Sequence, residues 1–252
     1  MNSILRAVIF IALISTLIGF SIATLDWRMM VWSMPSLTDF FAPFLAPDSS
    51  PKFLRVVGHL ALQTLAMAAL ATVVSAVLAA VLAFAADSGL RWAYMLVFNV
   101  LRTIPELLFA SLLVLLVGLG PTAGVLALTL HTTGVLARLF VSALQNSNRD
   151  SATALHLAGA SHAQVFLFGL LPAVKTQWLS YTLYRSEMNI RAAAVLGLVG
   201  AGGLGQQLHL TLSLFQYHKA STLILATMLL VIFAETLSRY LRRNRFSQAQ
   251  VD

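Results

Sequence analysis

Residues 153–172 read TALHLAGASHAQVFLFGLLP, and they interrupt a chain made largely of long apolar segments. The stretch contains two histidines, a glutamine and, at its centre, Gly159-Ala160-Ser161. A run of small and polar residues that ends in Leu171-Pro172 makes a poor membrane span. The pattern instead predicts a short helix, a glycine turn and the beginning of a second helix.

The composition around this stretch is that of a polytopic helical membrane protein. Of the 252 residues, 59% are hydrophobic and only 10% are charged, and the mean hydropathy is +0.85. Soluble domains contain roughly a quarter charged residues. Several apolar runs have a length of about 20 residues, which crosses a bilayer as a helix. The predicted fold class is therefore all-α, with about six transmembrane helices.

The net charge of +7 does not indicate a nucleic-acid partner, because the basic residues are not gathered on a soluble domain. Four arginines instead crowd the end of the last apolar run, namely Arg239, Arg242, Arg243 and Arg245. This clustering is typical of a cytoplasmic flank, where anionic lipid headgroups are a further expected contact. The absence of cysteine excludes disulfides, thiolate chemistry and cysteine-based metal sites.

The apolar runs define six predicted spans, which cover residues 4–25, 59–86, 92–117, 122–143, 172–199 and 220–240. The first run lacks a convincing small-residue cleavage site, so we expect a retained helix rather than a signal peptide. Residues 200–219 are predicted to be a glycine-rich outer segment. Because no internal repeat or linker is visible, residues 1–252 are predicted to form one transmembrane domain. Its parts are a first helix at 1–25, core helices at 60–240 and the polar segment 145–171.

The positions of lysine and arginine predict that both termini lie in the cytoplasm. With the N-terminus inside, the basic residues at the cytoplasmic ends of the spans are Arg6, Arg91, Arg138, Arg149, Lys175 and the C-terminal arginines. The same orientation places residues 153–172 in the cytoplasm, where a soluble partner could reach them.

Two pairs of charges lie inside predicted spans. Arg102 and Glu106 are four residues apart in the third span, and Glu187 and Arg191 are four apart in the fifth. One helical turn should bring each pair onto a common face. Pro105 removes a backbone donor within the first pair and predicts a kink there.

These charges have two interpretations. An Arg or Asp at the bilayer centre costs about 2.5–3.5 kcal/mol on insertion scales, so such groups pair or face water. They either lock helices together as structural ion pairs or line a translocation path or gate. Arg185 is a third basic group nearby that could instead reach the cytoplasmic surface.

The run Gly200-Ala-Gly202-Gly203-Leu-Gly205 matches the dinucleotide-binding pattern G-x-G-x-x-G. That pattern needs a preceding strand in a βαβ unit, whereas here it follows an apolar helix. The glycines are better explained as a break where backbones approach closely, in a helix contact or a gate. The histidines lack metal-ligand spacing, and no set of nucleophile, base and orienting group is visible. We therefore expect no catalytic site, no metal and no cofactor in this chain.

Several segments together resemble the permease subunits of type I ABC importers, most closely those of the phosphonate and phosphite group. Residues 153–172 are similar to the coupling motif of these importers, in which Glu-Ala-Ala precedes a glycine and a hydrophobic-Leu-Pro end. More specific segments are Arg102-Thr-Ile-Pro105-Glu106, Gly118-Leu-Gly120-Pro121, Leu128-Thr-Leu-His131-Thr-Thr-Gly134, Leu183-Tyr184-Arg185-Ser-Glu187-Met-Asn189-Ile190-Arg191 and Val195 to Gln206. The similarity covers roughly residues 60–238.

The resemblance implies a bacterial inner-membrane permease that works as a homodimer or a closely related heterodimer. It implies a pair of cytoplasmic ATPases, which would bind ATP and magnesium, and a periplasmic substrate-binding protein. The residues expected to contact the ATPase are Thr153, Ala154, Ala158, Gly159, Ala160, Ser161 and His162. Those expected in the path or its gate are Arg102, Pro105, Glu106, Glu187, Asn189, Arg191, Gly200, Gly202 and Gly203. Thr153 departs from the family's glutamate, and Asp150 could supply the missing charge.

The implied substrate is a phosphonate- or phosphite-type oxyanion, for which Arg102 and Arg191 would lower the electrostatic barrier. Glu106 and Glu187 could neutralise the same charges. Alternatives are a methionine- or betaine-type ABC permease, an ion-coupled secondary transporter with Glu106 or Glu187 as proton carrier, and a channel. The secondary transporter predicts repeated halves, which are not found, and neither it nor a channel explains residues 153–172.

Overall fold

The computed structural model describes residues 3–24, 42–87 and 91–246, and the secondary structure of these residues is helical throughout, without strands. They fall into two compact units, residues 1–46 and 47–252. The first unit contains α1 (Ser3–Thr24), which coincides with the predicted first span, and a 3₁₀ turn at Ala42–Leu45. The organisation of residues 1–252 as one domain remains a prediction.

The second unit is a bundle whose long helices follow the predicted spans. Its helices are α2 (Pro51–Asp87), α3 (Arg91–Thr103), α4 (Glu106–Val117), α5 (Pro121–Asn146), α6 (Asp150–Leu157), α7 (His162–Gln164), α8 (Leu171–Leu196), α9 (Gly203–Ser213) and α10 (Tyr217–Phe246). A π-helical stretch, Val165–Leu170, joins α7 to α8 without a break. The helix of the predicted fifth span therefore begins at His162, about ten residues earlier than expected, and is continuous with the end of the polar segment.

Four helical segments of the described chain are long and apolar enough to cross a membrane, and a bent pair adds a fifth if counted as one span. The pair is α3 and α4, which meet at an angle of 85° between Thr103 and Glu106. Pro105 was expected to kink one helix here, and the structure instead shows two separate helices. Since the bent pair forms one arm of the bundle, the predicted third span is present but is not a straight rod.

The glycine-rich segment at 200–219 is largely helical beyond its first residues. A 3₁₀ turn at Gly197–Val199 ends α8, and Gly203–Ser213 forms α9 after a tight reversal. The backbone reverses because Gly200, Gly202 and Gly203 have φ values of 86°, 88° and 70°, which side-chain-bearing residues rarely adopt.

The bundle core consists of two clusters at opposite ends of α2, α5 and α8. The first is rich in alanine and includes Ala68, Ala127, Leu196 and Leu204. The second includes Phe140 and Trp178, whose rings stack with centroids 4.2 Å apart. It extends to Ala152 and Phe166, which belong to the polar segment. The polar segment is therefore packed onto the bundle core.

Candidate functional site

The structure separates Arg102 from Glu106, which were predicted to share a helical face. Arg102 lies in the last turn of α3 and is exposed, whereas Glu106 begins α4 beyond the bend. No ion pair joins the two residues in the described part of the chain, so the predicted first pair is wrong. The physical reason is Pro105, which ends the helical ladder before one turn is complete.

Glu106 faces His131 on α5 instead. Its Oε2 atom lies 3.5 Å from His131 Nε2, and the opposite ring nitrogen, Nδ1, lies 3.2 Å from the Ile104 carbonyl oxygen. Since that carbonyl can only accept, Nδ1 carries a hydrogen in this contact. The bend is thus held by a histidine that contacts the carbonyl on one side of Pro105 and the carboxylate on the other.

Glu187 and Arg191 form the ion pair that was predicted. Arg191 Nη2 donates to Glu187 Oε1 at 2.8 Å within α8. The same nitrogen lies 3.4 Å from Glu235 Oε2 on α10, and Glu235 is also paired with Arg239 one turn later. Glu187 is only 7% exposed, whereas Arg191 is 42% exposed. The pair is therefore part of a longer network that ties α8 to α10.

Asn189 belongs to a second polar network, which is buried between α2, α5 and α8. Its amide nitrogen donates to Thr72 Oγ1 at 2.8 Å, and its amide oxygen accepts from Thr132 Oγ1 at 2.8 Å. Arg185 extends this network, because its Nη2 donates to Thr132 Oγ1 at 3.2 Å. Arg185 therefore points into the bundle rather than to the cytoplasmic surface.

A cavity of about 440 Å³ joins these groups. Its polar lining comes from Glu106, His131, Arg185 and Arg191, and the remaining wall is largely apolar. The apolar and small residues are Pro105, Leu107, Met188, Ala192, Val195 and Leu196. Of the predicted path residues, Pro105, Glu106 and Arg191 line it, whereas Arg102, Glu187 and Asn189 do not. The cavity is partly open in the single chain.

The predicted glycines lie away from this cavity and make close backbone contacts. The Gly200 carbonyl accepts from Gly120 N–H at 2.9 Å. A Cβ atom on Gly202 would lie 2.9 Å from the backbone of Pro121, and one on Gly203 would lie 2.5 Å from Thr64 Oγ1. The glycines therefore let the α8–α9 reversal pack against α2 and the start of α5.

The polar segment forms the helix, turn and second helix that its sequence predicts. The α6 helix ends in a Schellman arrangement, in which Ala160 N–H donates to the Leu155 carbonyl and Gly159 N–H to His156, both at 3.0 Å. Gly159 has a φ of 82°. Ser161 then caps α7 in a capping box with Gln164.

The residues expected to contact an ATPase lie together on the surface of this turn. Thr153, Ala154, Ala158, Gly159, Ser161 and His162 are exposed, and Ala160 is partly exposed. Leu157, at the end of α6, is 83% exposed. Asp150 lies one turn before Thr153 and is also exposed, so the two residues share a face of α6. An apolar side chain beside an open glycine turn is a suitable surface for a protein partner.

The turn is held to the bundle by contacts that the sequence did not reveal. Asp87, at the end of α2, receives a hydrogen bond from Arg149 Nη2 at 3.1 Å, and its other oxygen lies 3.6 Å from His162 Nε2. On the other side, a Cβ on Gly169 would lie 2.9 Å from Ala152 Cα. The α6 helix and the π-helical stretch are therefore in close backbone contact.

Comparison with known families settles what kind of protein contains this geometry. Residues 73–246 match the family described as the binding-protein-dependent transport system inner membrane component. The chain belongs to this family. It is thus a transport subunit of the inner membrane that passes the membrane several times and works with an ATPase and a substrate-binding protein.

Relatives of this permease include several named transport proteins. It is 32% identical over 231 residues to the putative phosphite transport system permease protein HtxC of Stutzerimonas stutzeri. The aligned residues cover 89% of this chain and 81% of that relative. It is also 32% identical over 232 residues to the phosphite transport system permease protein PtxC of the same organism, with 88% and 82% covered. The phosphate-import permease protein PhnE of Mycolicibacterium smegmatis is 33% identical over 193 residues, which are 74% of this chain and 36% of that protein.

Solved structures confirm the fold of the permease. A chain of the MetNI methionine ABC transporter in an inward facing conformation superposes with a TM-score of 0.66 and 20% sequence identity, covering 77% of this chain and 98% of that one. This similarity supports the type I importer fold.

Sequence reasoning about the permease site missed two residues and left a third uncertain. The pattern of histidines gave His131 no role, and Asp87 was not singled out. Arg185 was recognised as basic, but its direction was left open. His131, Asp87 and Arg185 each have a partner 25 or more residues away along the chain. Within the described residues there is no group of three or more histidine and acidic residues placed to hold a metal.

Proposed function

We propose that this permease forms the membrane path of an ATP-driven importer for a phosphite- or phosphonate-type oxyanion delivered by a periplasmic binding protein. One observation supports the proposal above others: a continuous helical rod begins directly after the exposed turn at Gly159 and reaches the wall of the charged cavity. That rod begins at His162, passes through the π-helical stretch and includes Arg185 and Arg191 in α8. At about 1.5 Å per residue, it connects the turn to Arg185 over roughly 35 Å.

The rod provides a mechanical route from the turn to the cavity. A partner bound at Gly159 would move α7 and α6 as a unit, because Gly169 and Ala152 are in close contact. Any rotation of α8 would then move Arg185 and Arg191 relative to Glu106 and His131, which lie on other helices. Packed elements transmit such shifts as rigid bodies. The cytoplasmic ATPase pair, which binds ATP and magnesium, is the partner that this surface fits.

The partly open cavity is the reason to propose a second permease copy. A cavity that is partly open in one chain becomes an enclosed path when a twofold-related copy covers it, and each charge is then presented twice. In this arrangement Glu106, His131, Arg185 and Arg191 line the path, and the glycine reversal at Gly200–Gly203 supports its outer end. Lipid contacts the apolar outer faces and the C-terminal arginines, which lie in α10.

The substrate class follows from the relatives' names together with the cationic cavity wall. The test is uptake of radiolabelled phosphite and methylphosphonate by proteoliposomes that contain the permease with its ATPase and binding protein. We expect ATP-dependent uptake of at least one of these oxyanions and none of methionine. Uptake of methionine alone would establish the runner-up importer. Uptake driven by a proton gradient without ATP would contradict the proposal.

The coupling surface can be tested with two matched glycines. Gly159 and Gly118 have φ values of 82° and 95°, and a Cβ on either would meet nothing within 4 Å. Gly159→Leu and Gly118→Leu therefore impose similar backbone strain at opposite ends of the bundle. We expect Gly159→Leu to abolish copurification of the ATPase or its substrate-stimulated activity, and Gly118→Leu to retain copurification. Normal coupling in Gly159→Leu would contradict this role for the turn.

The proposed orientation has both termini in the cytoplasm. Since the chain has no cysteine, single cysteines report topology without background. We expect Ala249→Cys, which lies outside the described residues, to react only with reagent applied from the cytoplasm. Phe215→Cys, at the exposed end of α9, should react from outside, and the reverse pattern would overturn the orientation.

A further inference from the structure

Arg185 differs from the other cations of the cavity because it has no close ion pair in the described residues, and Glu106, which lines the same cavity, attracts it only from a longer distance. Arg191 is paired with Glu187 and Glu235, and His131 faces Glu106. Within the described residues, no carboxylate oxygen lies within ion-pair distance of the Arg185 guanidinium. Its Nη2 donates to two neutral acceptors, Thr132 Oγ1 at 3.2 Å and Asn189 Oδ1 at 3.5 Å. Its Nε is buried and has no hydrogen-bond partner.

A guanidinium inside a bundle without a close counter-ion is costly, because its lost hydration is only partly compensated. Ionisable groups at such positions in membrane proteins mark the sites where ions or substrates bind or pass. The Arg185 side chain lines the cavity, and its buried Nε has no acceptor. An anion in the cavity would supply at close range the charge that Glu106 supplies only from a distance.

The surrounding network holds Arg185 in place for such an anion. Thr132 and Asn189 are completely buried and are bonded to each other, and Asn189 is anchored to Thr72 on α2. The Nη2 end of the guanidinium is thus fixed by Thr132 and Asn189, and guanidinium groups are well suited to bind oxyanions. A group held by buried bonds needs no reorganisation when the ligand arrives.

We infer that Arg185 is the anion contact of the translocation cavity and binds a tetrahedral phosphorus oxyanion during its passage. This inference rests on the proposed function. The Glu106 carboxylate lines the same cavity and repels the anion, so binding stays weak enough for release, as conduction requires. Arg191 contributes less, because two carboxylates already neutralise it.

The first experiment measures the electrostatic potential of the cavity without any substrate. Met188 lines the cavity, and in a chain without cysteine Met188→Cys is a unique thiol. In the full complex, its reaction with an anionic methanethiosulfonate should exceed that with a cationic one. Adding Arg185→Gln should lower the anionic-to-cationic rate ratio by about tenfold, the scale of one charge-assisted contact. Arg138→Gln is the control, because Arg138 lies on α5 outside the cavity lining and donates to Met95 Sδ on α3. This variant should leave the rate ratio within about twofold of the wild type.

The second experiment measures uptake of phosphite by the reconstituted complex, normalised to folded protein. Arg185→Gln should reduce uptake by about tenfold or more, and Arg185→Lys should restore part of it because the charge returns without the fork. If the wild type imports neither phosphite nor methylphosphonate, the proposed function fails. The anionic-to-cationic rate ratio at Met188→Cys still tests whether Arg185 attracts anions, because that measurement needs no substrate. An unchanged ratio in Arg185→Gln, or uptake per folded complex equal to wild type, would overturn the inference.

Discussion

The two intramembrane charge pairs have the same spacing in sequence and different outcomes in the fold. Glu187 and Arg191 meet at 2.8 Å within α8, whereas Arg102 and Glu106 lie on two helices that meet at 85°. Arg102 remains exposed at the end of α3, and Glu106 finds a new partner in His131. The i,i+4 rule applies only where the backbone between the two residues is continuous helix.

The two carboxylates also differ in exposure and in whether they line the cavity. Glu187 is 7% exposed and lies outside the cavity lining, so its role is to fix Arg191 and, through it, the contact with α10. Glu106 is 35% exposed and lines the cavity. The structural interpretation therefore suits Glu187, and the path interpretation suits Glu106.

The largest effect on stability is expected from Glu187→Gln. Removing one partner of a buried pair costs about 3–5 kcal/mol, and the cost is lower here because Arg191 keeps Glu235 and is partly exposed. We expect the detergent-solubilised protein to lose roughly 5–10 °C in Tm. Uptake per folded molecule should change little, and an unchanged Tm would show that Glu187 is not structural.

A smaller stability effect but a clear transport effect is expected from Glu106→Gln. The carboxylate is partly exposed and lies 3.5 Å from its histidine partner, so its contribution to stability is at most about 1 kcal/mol. Its removal alters the charge of the cavity wall, and uptake per folded molecule should change by about threefold or more. A large fall in Tm with normal uptake would assign Glu106 the structural role instead.

The smallest effect, and the direct test of the comparison, is the coupling between the members of each pair. A double-mutant cycle on Tm with Glu187→Gln and Arg191→Gln should give an interaction energy of about 1 kcal/mol or more. The same cycle with Arg102→Gln and Glu106→Gln should give less than about 0.5 kcal/mol, because the two residues do not touch. Equal coupling in both cycles would mean that the bend at Pro105 does not separate the first pair.

The local features of the coupling turn could be predicted because each depends on residues a few positions apart. Gly159 accepts a left-handed backbone at the end of α6, and Ser161 and Gln164 satisfy each other's backbone at the start of α7. At residues 200–219 the glycines predicted a break with close backbone approach, and Gly200, Gly202 and Gly203 form a tight reversal of this kind. The helix α9 that follows was not predicted. Glycine marks a permitted turn and does not say how soon the helix resumes.

The sequence by itself determined the helical membrane class, most of the spans and the position of the coupling turn, because these follow from hydropathy and from neighbours within one helical turn. The family followed from the resemblance of several motifs. The Glu187–Arg191 pair was also predictable, since both residues lie on one helix. Tertiary structure alone decided which polar and charged groups meet between helices. Glu106 pairs across 25 residues with His131, and Asn189 bonds to Thr132 and Thr72 across 57 and 117 residues. Such partners are set by how helices pack, and a periodic pattern along one helix contains no information about the face of the next.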